Sequence, residues 1–550
     1  ASGNTAVGID IFAALTSGTN NTAVGFSGLK ANTTGAKNTA VGASALDANT
    51  TAANGTAVGQ NALGGNTTGA NNTAVGKNSL LVNTTGANNV AIGATALDAN
   101  TTAENNTAVG FEALANNTTA NNNTAVGTSA LEANTTGANN TAVGHVALDA
   151  NTTASSNTAI GNGALGANTT GGNNTAVGAS SLDANTTGEE NTAVGDGSLG
   201  ANTTGDKNVA LGARALLANT TANNNTAMGY DALVANTTGA NNTAVGAFSL
   251  IANTTASRNT AVGNDCMDST TTGANNTAVG ADALQANTTG ATNVAVGDVA
   301  LDSNTTAADN TAVGYGSSKS NTTGHSNTAV GRSALDASTT GVGNTALGFY
   351  TLVSNTEGTT NVAIGYQALQ DTVGNTTGDN NIGIGTNVRG ASATGDFQFV
   401  LGNDIDAGTS EFAFGRSGNK VFNSFDTNAS WTRSSDERKK ENIEESTLGL
   451  EFINNLRPVT FNWKPSDEFP KHFLDYEEEN TMKTDVTLHG MIAQDVKAAL
   501  DKAGVDTFGG WSQDERDGSQ EISQEMFVHP LIKAVKELSA KVEELEKKLN

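Results

Sequence analysis

The stretch Asn38-Thr39-Ala40-Val41-Gly42-Ala43-Ser44-Ala45-Leu46-Asp47-Ala48-Asn49-Thr50-Thr51-Ala52-Ala53-Asn54 is one unit of a tandem repeat. Its frame runs unbroken from Asn4 to the copy beginning at Asn361, which makes 22 copies of 17 residues; another copy opens at Asn381 after a three-residue insertion. A strict period of this length marks a solenoid. The third residue of the unit is Ala and the fifth is Gly in all 22 copies, while the ninth is Leu in 19, with Phe12, Met267 and Ser318 as exceptions. The fourth is always apolar, and the first is Asn except at Gly55.

Seventeen residues are too few for two packed helices and a turn, and Asn, Thr and Gly are poor helix formers. The unit suits one coil of a parallel β-solenoid: a short strand at Thr-Ala-Val, a corner at Gly, a second segment ending in Leu, and a second corner at Asn-Thr-Thr-Gly. Neighbours along a strand point to opposite faces. With the Val column turned inward, the Ala column points out, and an outward position restricted to Ala implies close packing against something else. The invariant Gly fits a backbone needing positive φ. The Asn columns are expected to stack into ladders that bond coil to coil. One Val and one Leu per coil make a thin core, so the Ala column is the expected contact between chains.

The chain has 550 residues and a formal net charge of −26, with 11 Lys and Arg before Trp431 and 16 after it. An acidic, basic-poor shaft argues against nucleic acid and anionic membrane surfaces as partners. No apolar run approaches a membrane span, so no membrane insertion is expected. The chain opens at Ala1 with no charged-then-apolar leader, from which no signal peptide, and a fragment or processed chain, are expected. The single cysteine, Cys266, sits where other copies have Ala or Ser and reads as a small core residue; a disulfide within the chain is excluded.

Residues 1–385 are thus read as the shaft; about 23 coils at a strand spacing of ~4.7–4.9 Å make a rod on the order of 110 Å long. Residues 386–434 read as a β-rich neck, with strands at Phe397–Gly402 and Glu411–Gly415 running into turns. The four prolines and three tryptophans all lie beyond position 430, which marks residues 435–550 as a separate globular domain. There the sequence predicts a helix near Leu448–Leu456, a strand at Pro458–Trp463, a disordered acidic loop at Asp475–Asn480 and a helix at Met491–Leu500. Leu531, Val535, Leu538, Val542, Leu545 and Leu549 step by 4, 3, 4, 3, 4. That is the seam of a short coiled coil over 531–549; the competing reading is an amphipathic helix lying on its own domain.

One polar stretch carries chemistry: Ser434-Ser435-Asp436-Glu437-Arg438-Lys439-Lys440-Glu441-Asn442-Ile443. By itself it also reads as a solvated helix start with Ser435 as N-cap. Three further blocks follow in order: Leu448–Val459, Gly490–Val496 and His529–Leu538. Together the four resemble the intramolecular chaperone auto-processing domain of phage tail spikes and fibres, the endosialidase type. Lys439 stands where that family usually has Leu, and Phe527 where Tyr is common. The shaft in turn resembles the left-handed β-roll of trimeric adhesin heads (the YadA type).

These resemblances imply a homotrimer whose C-terminal domain holds three chains together while the shaft folds, then cuts the bond between Ser434 and Ser435. The implied machinery is a Ser–Lys dyad of Ser435 and Lys440, with Asp436, Arg438 and Asn442 as positioning residues. No cofactor and no metal are expected. The implied setting is a bacteriophage tail fibre made in the host cytoplasm and carried on the virion tail. Its expected partners are other tail proteins at the N-terminus and a host surface receptor, possibly a glycan. A bacterial trimeric surface adhesin is the main alternative. An ice-binding solenoid is a lesser one, because no flat Thr-x-Thr array is apparent around Thr33-Thr34. The recurrent Asp47, Asp98, Asp149 and Asp183 lack the spacing of calcium-binding solenoids.

Overall fold

The computed structural model describes residues 2–370, 377–390, 392–424, 432–433 and 437–549. It divides into two compact units, Ala1–Ser434 and Ser435–Asn550.

The first unit is a parallel β-solenoid. Each repeat contributes one short strand, and strands one repeat apart pair in parallel and in register, as in Thr39↔Thr56, Ala40↔Ala57 and Val41↔Val58. Beyond the strands the backbone also bonds coil to coil: Leu46 N–H donates to Ala62 O at 3.0 Å and Thr50 N–H to Thr67 O at 3.0 Å. A 17-residue period is therefore self-consistent, since each coil supplies the partners of the next.

The invariant glycine is required twice over. Gly144 has φ 143°, and a Cβ there would lie 2.3 Å from the carbonyl oxygen of Gly161 in the next coil. Three further positions per coil also take left-handed backbone, mostly at non-glycine residues, for instance Ser44, Leu46 and Asn54 at φ 56°, 55° and 60°. A bulky residue such as Leu46 rarely adopts that conformation; here it turns a completely buried side chain into the coil.

Two buried Asn columns form the expected ladders. Asn49 Nδ2 donates to Asn32 Oδ1 of the preceding coil at 2.9 Å, and Asn38 Oδ1 accepts the backbone N–H of Gly55 at 2.7 Å. Both columns converge on one carbonyl: Asn38 Nδ2 and Asn49 Nδ2 donate to Ala52 O at 2.9 and 3.2 Å. Most buried amides of the two columns are thereby satisfied by the neighbouring coil.

The strand is turned the other way from the expectation. The Ala column faces the interior and is fully buried from Ala23 to Ala363, whereas the Val column faces out, with Val41 and Val58 each 37 % exposed. Volume decides this. The interior of a 17-residue coil holds one Leu, and the strand residue opposite must be small: at Gly383, which occupies the Ala column, an added Cβ would lie 2.6 Å from Leu369 Cγ. The close contact that restricts the column to Ala is internal, and the face offered to other molecules is Thr and Val.

Nor does the solenoid stop at residue 385. Ile382–Thr386, Phe399–Asn403 and Glu411–Arg416 continue the same parallel sheet, with Ile382↔Phe399 and Phe399↔Phe412 in register. The Gly column continues through Gly385, Gly402 and Gly415, all at positive φ. The parallel run ends at Asn419–Ser424, which pairs antiparallel with Glu411–Arg416. The region read as a neck is thus mostly further coil.

The second unit is a small α+β body with helices α1 (Leu450–Asn455), α2 (Ala493–Lys502) and α3 (Val528–Leu549). Pro458–Phe461 pairs antiparallel with Leu488–Met491, and Trp511–Gln513 with Gln520–Ile522. Leu448, Phe452, Val496, Ala499, Leu500 and Phe527 form its core. The acidic stretch Asp475–Asn480, expected to be disordered, is an irregular loop tied down at its end: buried Ser466 gives its N–H to Asn480 Oδ1 and accepts the Thr481 N–H on Oγ at 2.8 Å.

Helix α3 lays Pro530 and Ala534 against its own unit, but its heptad seam points away: Leu531, Val535, Leu538, Val542 and Leu545 are each about half exposed. The alternative of a helix burying its seam on its own domain does not describe this chain. Among the described residues no helix is long and apolar enough to cross a membrane.

Candidate processing site

The polar stretch falls at the junction of the two units. Ser434, Ser435 and Asp436 lie outside the described residues, so the structure opens on the motif at Glu437. Glu437–Lys439 form one 3-10 turn, closed by Lys440 N–H donating to Glu437 O at 3.0 Å. Arg438, Lys440 and Asn442 are exposed. Asn442 takes left-handed backbone at φ 53°, which Asn tolerates better than other non-glycine residues. The chain then runs exposed until Leu448 enters the core.

The other three blocks, far apart in sequence, are brought together. Arg457 of the second block grips Asp495 of the third, its Nε and terminal amine donating to Asp495 Oδ2 at 2.9 and 2.6 Å. Leu450 N–H, at the start of α1, donates to Glu537 Oε2 of the fourth block at 2.7 Å. A carboxylate there satisfies an orphan donor and complements the helix dipole. Phe452 stacks on Phe527 with ring centroids 6.3 Å apart and planes within 6°. Phe527 thus serves the core as a hydrophobic ring, for which a tyrosine hydroxyl is not needed.

A cavity of about 330 Å³ opens beside the segment following the motif, with Glu444, Ser446, Leu448, Phe508, His529 and Pro530 in its wall. It places two adjacent carboxylates, Glu444 and Glu445, near His529 at the start of α3; the sequence reading quoted His529 in its fourth block without assigning it a role. Cys266 has no part in any chemistry here: it is buried in the shaft and burial pushes its thiol up to about 12, so the reactive thiolate is scarce. Among the described residues no group of three or more His, Cys, Asp or Glu is placed to hold a metal ion.

A β-solenoid followed by a small α+β unit with an exposed C-terminal helix defines the class: a repeat shaft bearing a separate terminal domain. Residues 435–505 match the family model described as chaperone of endosialidase. That match implies intramolecular chaperone auto-processing for the C-terminal domain. No curated protein and no solved structure matches the chain.

Proposed function

We propose that the chain is the subunit of a homotrimeric fibre, folded with the help of its C-terminal unit and then released from it by a cut before Ser435. The observation that carries this reading is a coincidence of boundaries: the family match begins at residue 435, and the second compact unit begins at the same residue.

The reaction uses Ser435 and Lys440. Neutral Lys440 Nζ takes the proton of Ser435 Oγ as the oxygen attacks the carbonyl carbon of Ser434. The C–N bond breaks, the ammonium returns its proton to the departing Ser435 amine, and an ester joins Ser434 to Ser435 Oγ. Water hydrolyses the ester, leaving a carboxylate on Ser434 and a free N-terminus on Ser435. A lysine acts as base only when burial favours its neutral form. Lys440 is exposed in the single chain; burial supplied by neighbouring copies would tie cutting to completed assembly.

The exposed seam of α3 supports self-association. In a parallel coil it puts Val535 and Val542 at one set of core positions and Leu538 and Leu545 at the other, and it sets Lys541 beside Glu546 of a neighbouring copy. Val and Leu so placed favour two strands in a free coil; a count of three therefore depends on the shaft. The reading places the fibre on a bacteriophage tail, attached through tail proteins and meeting a host surface receptor, possibly a glycan.

The test is denaturing electrophoresis of the expressed chain. Wild type should give fragments 1–434 and 435–550, while Ser435→Ala and Lys440→Ala stay full length. Identical patterns for all three would refute the dyad.

A further inference from the structure

The outward strand face of the shaft presents one Thr or Val and one aliphatic residue per coil, from Thr5 and Val7 to Val362 and Ile364. None of these positions is charged, although the chain carries a net charge of −26. This strip is where two like-charged copies can approach without opposing carboxylates. It also repeats at the coil spacing along the whole shaft, so the body that matches it rung for rung is another copy of the same chain.

Such a strip has a defect as an interface. Sliding one copy by one coil, about 4.7–4.9 Å, sets Val against Val and Thr against Thr again and loses only the contact of a single rung. Nearly identical rungs leave the axial register unspecified, as weakly patterned strands do.

The last three coils break the degeneracy. Where the repeat has Thr-Ala-Val they carry Ile382-Gly383-Ile384, Phe399-Val400-Leu401 and Phe412-Ala413-Phe414. Gly383, Val400 and Ala413 are buried, so the large residues on either side face out; Leu401 and Phe414 are 43 % and 39 % exposed. The rings form one patch, with Phe399 and Phe412 centroids 4.5 Å apart and Phe412 and Phe414 5.9 Å apart.

We infer that Ile382, Ile384, Phe399, Leu401, Phe412 and Phe414 form a register lock, the surface on which copies of this chain are aligned rung to rung. A one-coil slip would set Phe412 and Phe414 of one copy past the end of the neighbour's patch, and leave Ile382 and Ile384 of the neighbour against Val362 and Ile364 rather than against their own equivalents. The inference rests on the homotrimer reading.

The experiment uses the full chain with Cys266→Ser. Chains carrying Val41→Cys and chains carrying Val58→Cys, with different tags, are co-expressed and oxidised. With the native lock, disulfides should join like positions only. With Phe399→Thr, Leu401→Val, Phe412→Thr and Phe414→Val, mixed 41–58 products should rise to a yield comparable with the like pairs. An assembled variant that still gives only like pairs overturns the lock. If the native chains prove to be single by native sizing, the homotrimer reading itself falls, a distinct outcome.

Should the variant not assemble, a second mixture carries the test: intact chains with Val58→Cys and chains with Val41→Cys lacking residues 208–224. Alignment from the C-terminal coils predicts that these two cysteines cross-link. In a parallel mixture the intact chains carry Val41→Cys instead; a cross-link between intact and shortened chains there, with none when the intact chains carry Val58→Cys, would show alignment from the other end and overturn the proposal.

Discussion

Asn287 donates its side-chain amide to the hydroxyl of Thr270 at 3.4 Å, whereas one coil further on Asn304 donates to Asn287 Oδ1 at 2.9 Å. Thr270 stands in a column that is otherwise nearly all Asn, and the rung before it, Asn253, has a buried Oδ1 with no donor. Ser338 interrupts the ladder in the same way, leaving Asn321 Oδ1 and its own Oγ without partners. An unsatisfied buried acceptor costs about 1–3 kcal/mol, and a normal hydrogen bond contributes about 0.5–1.5 kcal/mol.

Thr270→Asn should therefore stabilise the shaft by about 1 kcal/mol. Because repeat proteins open locally, the measurement is hydrogen exchange along Asn253–Asn287, where protection should increase. Unchanged or reduced protection would mean that the ladder contributes little at this point.

The burial of Ala and exposure of Val give a second expectation. Ala142→Val adds two methyl groups to a filled core and should cost about 1–3 kcal/mol, seen as faster exchange in that coil and its neighbours. Val143→Ala removes atoms from the outer face, which is only partly buried in the single chain, and should speed exchange in the same coil less than Ala142→Val does. The opposite order of effects would return Val to the interior.

The repeat itself was fully legible, because Asn, Ala, Gly and Leu recur without a slip and only a stacked coil explains that. Alternation along Thr-Ala-Val also showed that Ala and Val face opposite ways. It did not show which faces in: both are apolar, and the choice turns on the room left beside Leu46 and its equivalents, a property of the closed coil. The last two coils were read as neck strands because Phe399 and Phe412 replace the Thr signature, although Gly402 and Gly415 kept the column alive. Left-handed Leu46 had no signal at all, since leucine is not a residue that announces positive φ. As for Ser435 and Lys440, the residues alone read as a solvated turn, and only the four-block resemblance gave them a role.

Acid should stabilise the shaft. Burial lifts the carboxyls of Asp47, Asp98, Asp149, Asp268, Asp302 and Asp336 above the ordinary range. A folded-state pKa raised in this way means that the folded shaft holds protons more tightly. The stability these groups contribute is complete below the ordinary carboxylate pKa of about 4 and is lost as pH rises through the raised values. Asp10 opposes them, lowered mainly by its hydrogen bond from Lys30.

In the C-terminal unit the sign is reversed at Asp514, which Arg516 holds down to about 2. That contribution is present above the ordinary carboxylate range and is lost as pH falls towards 2. Calorimetry of the uncut Ser435→Ala chain should thus show the shaft transition rising as pH falls from neutral towards the ordinary carboxylate pKa of about 4, and the C-terminal transition falling below about pH 4. A shaft transition that drops over the first interval contradicts the assignment.

The central claim is that copies of this chain assemble side by side and shed their C-terminal units. Native mass spectrometry of the wild-type product, paired with its denatured mass, tests it most directly. The account predicts an assembly of three chains, each ending at Ser434. A single chain that keeps residues 435–550 would contradict it.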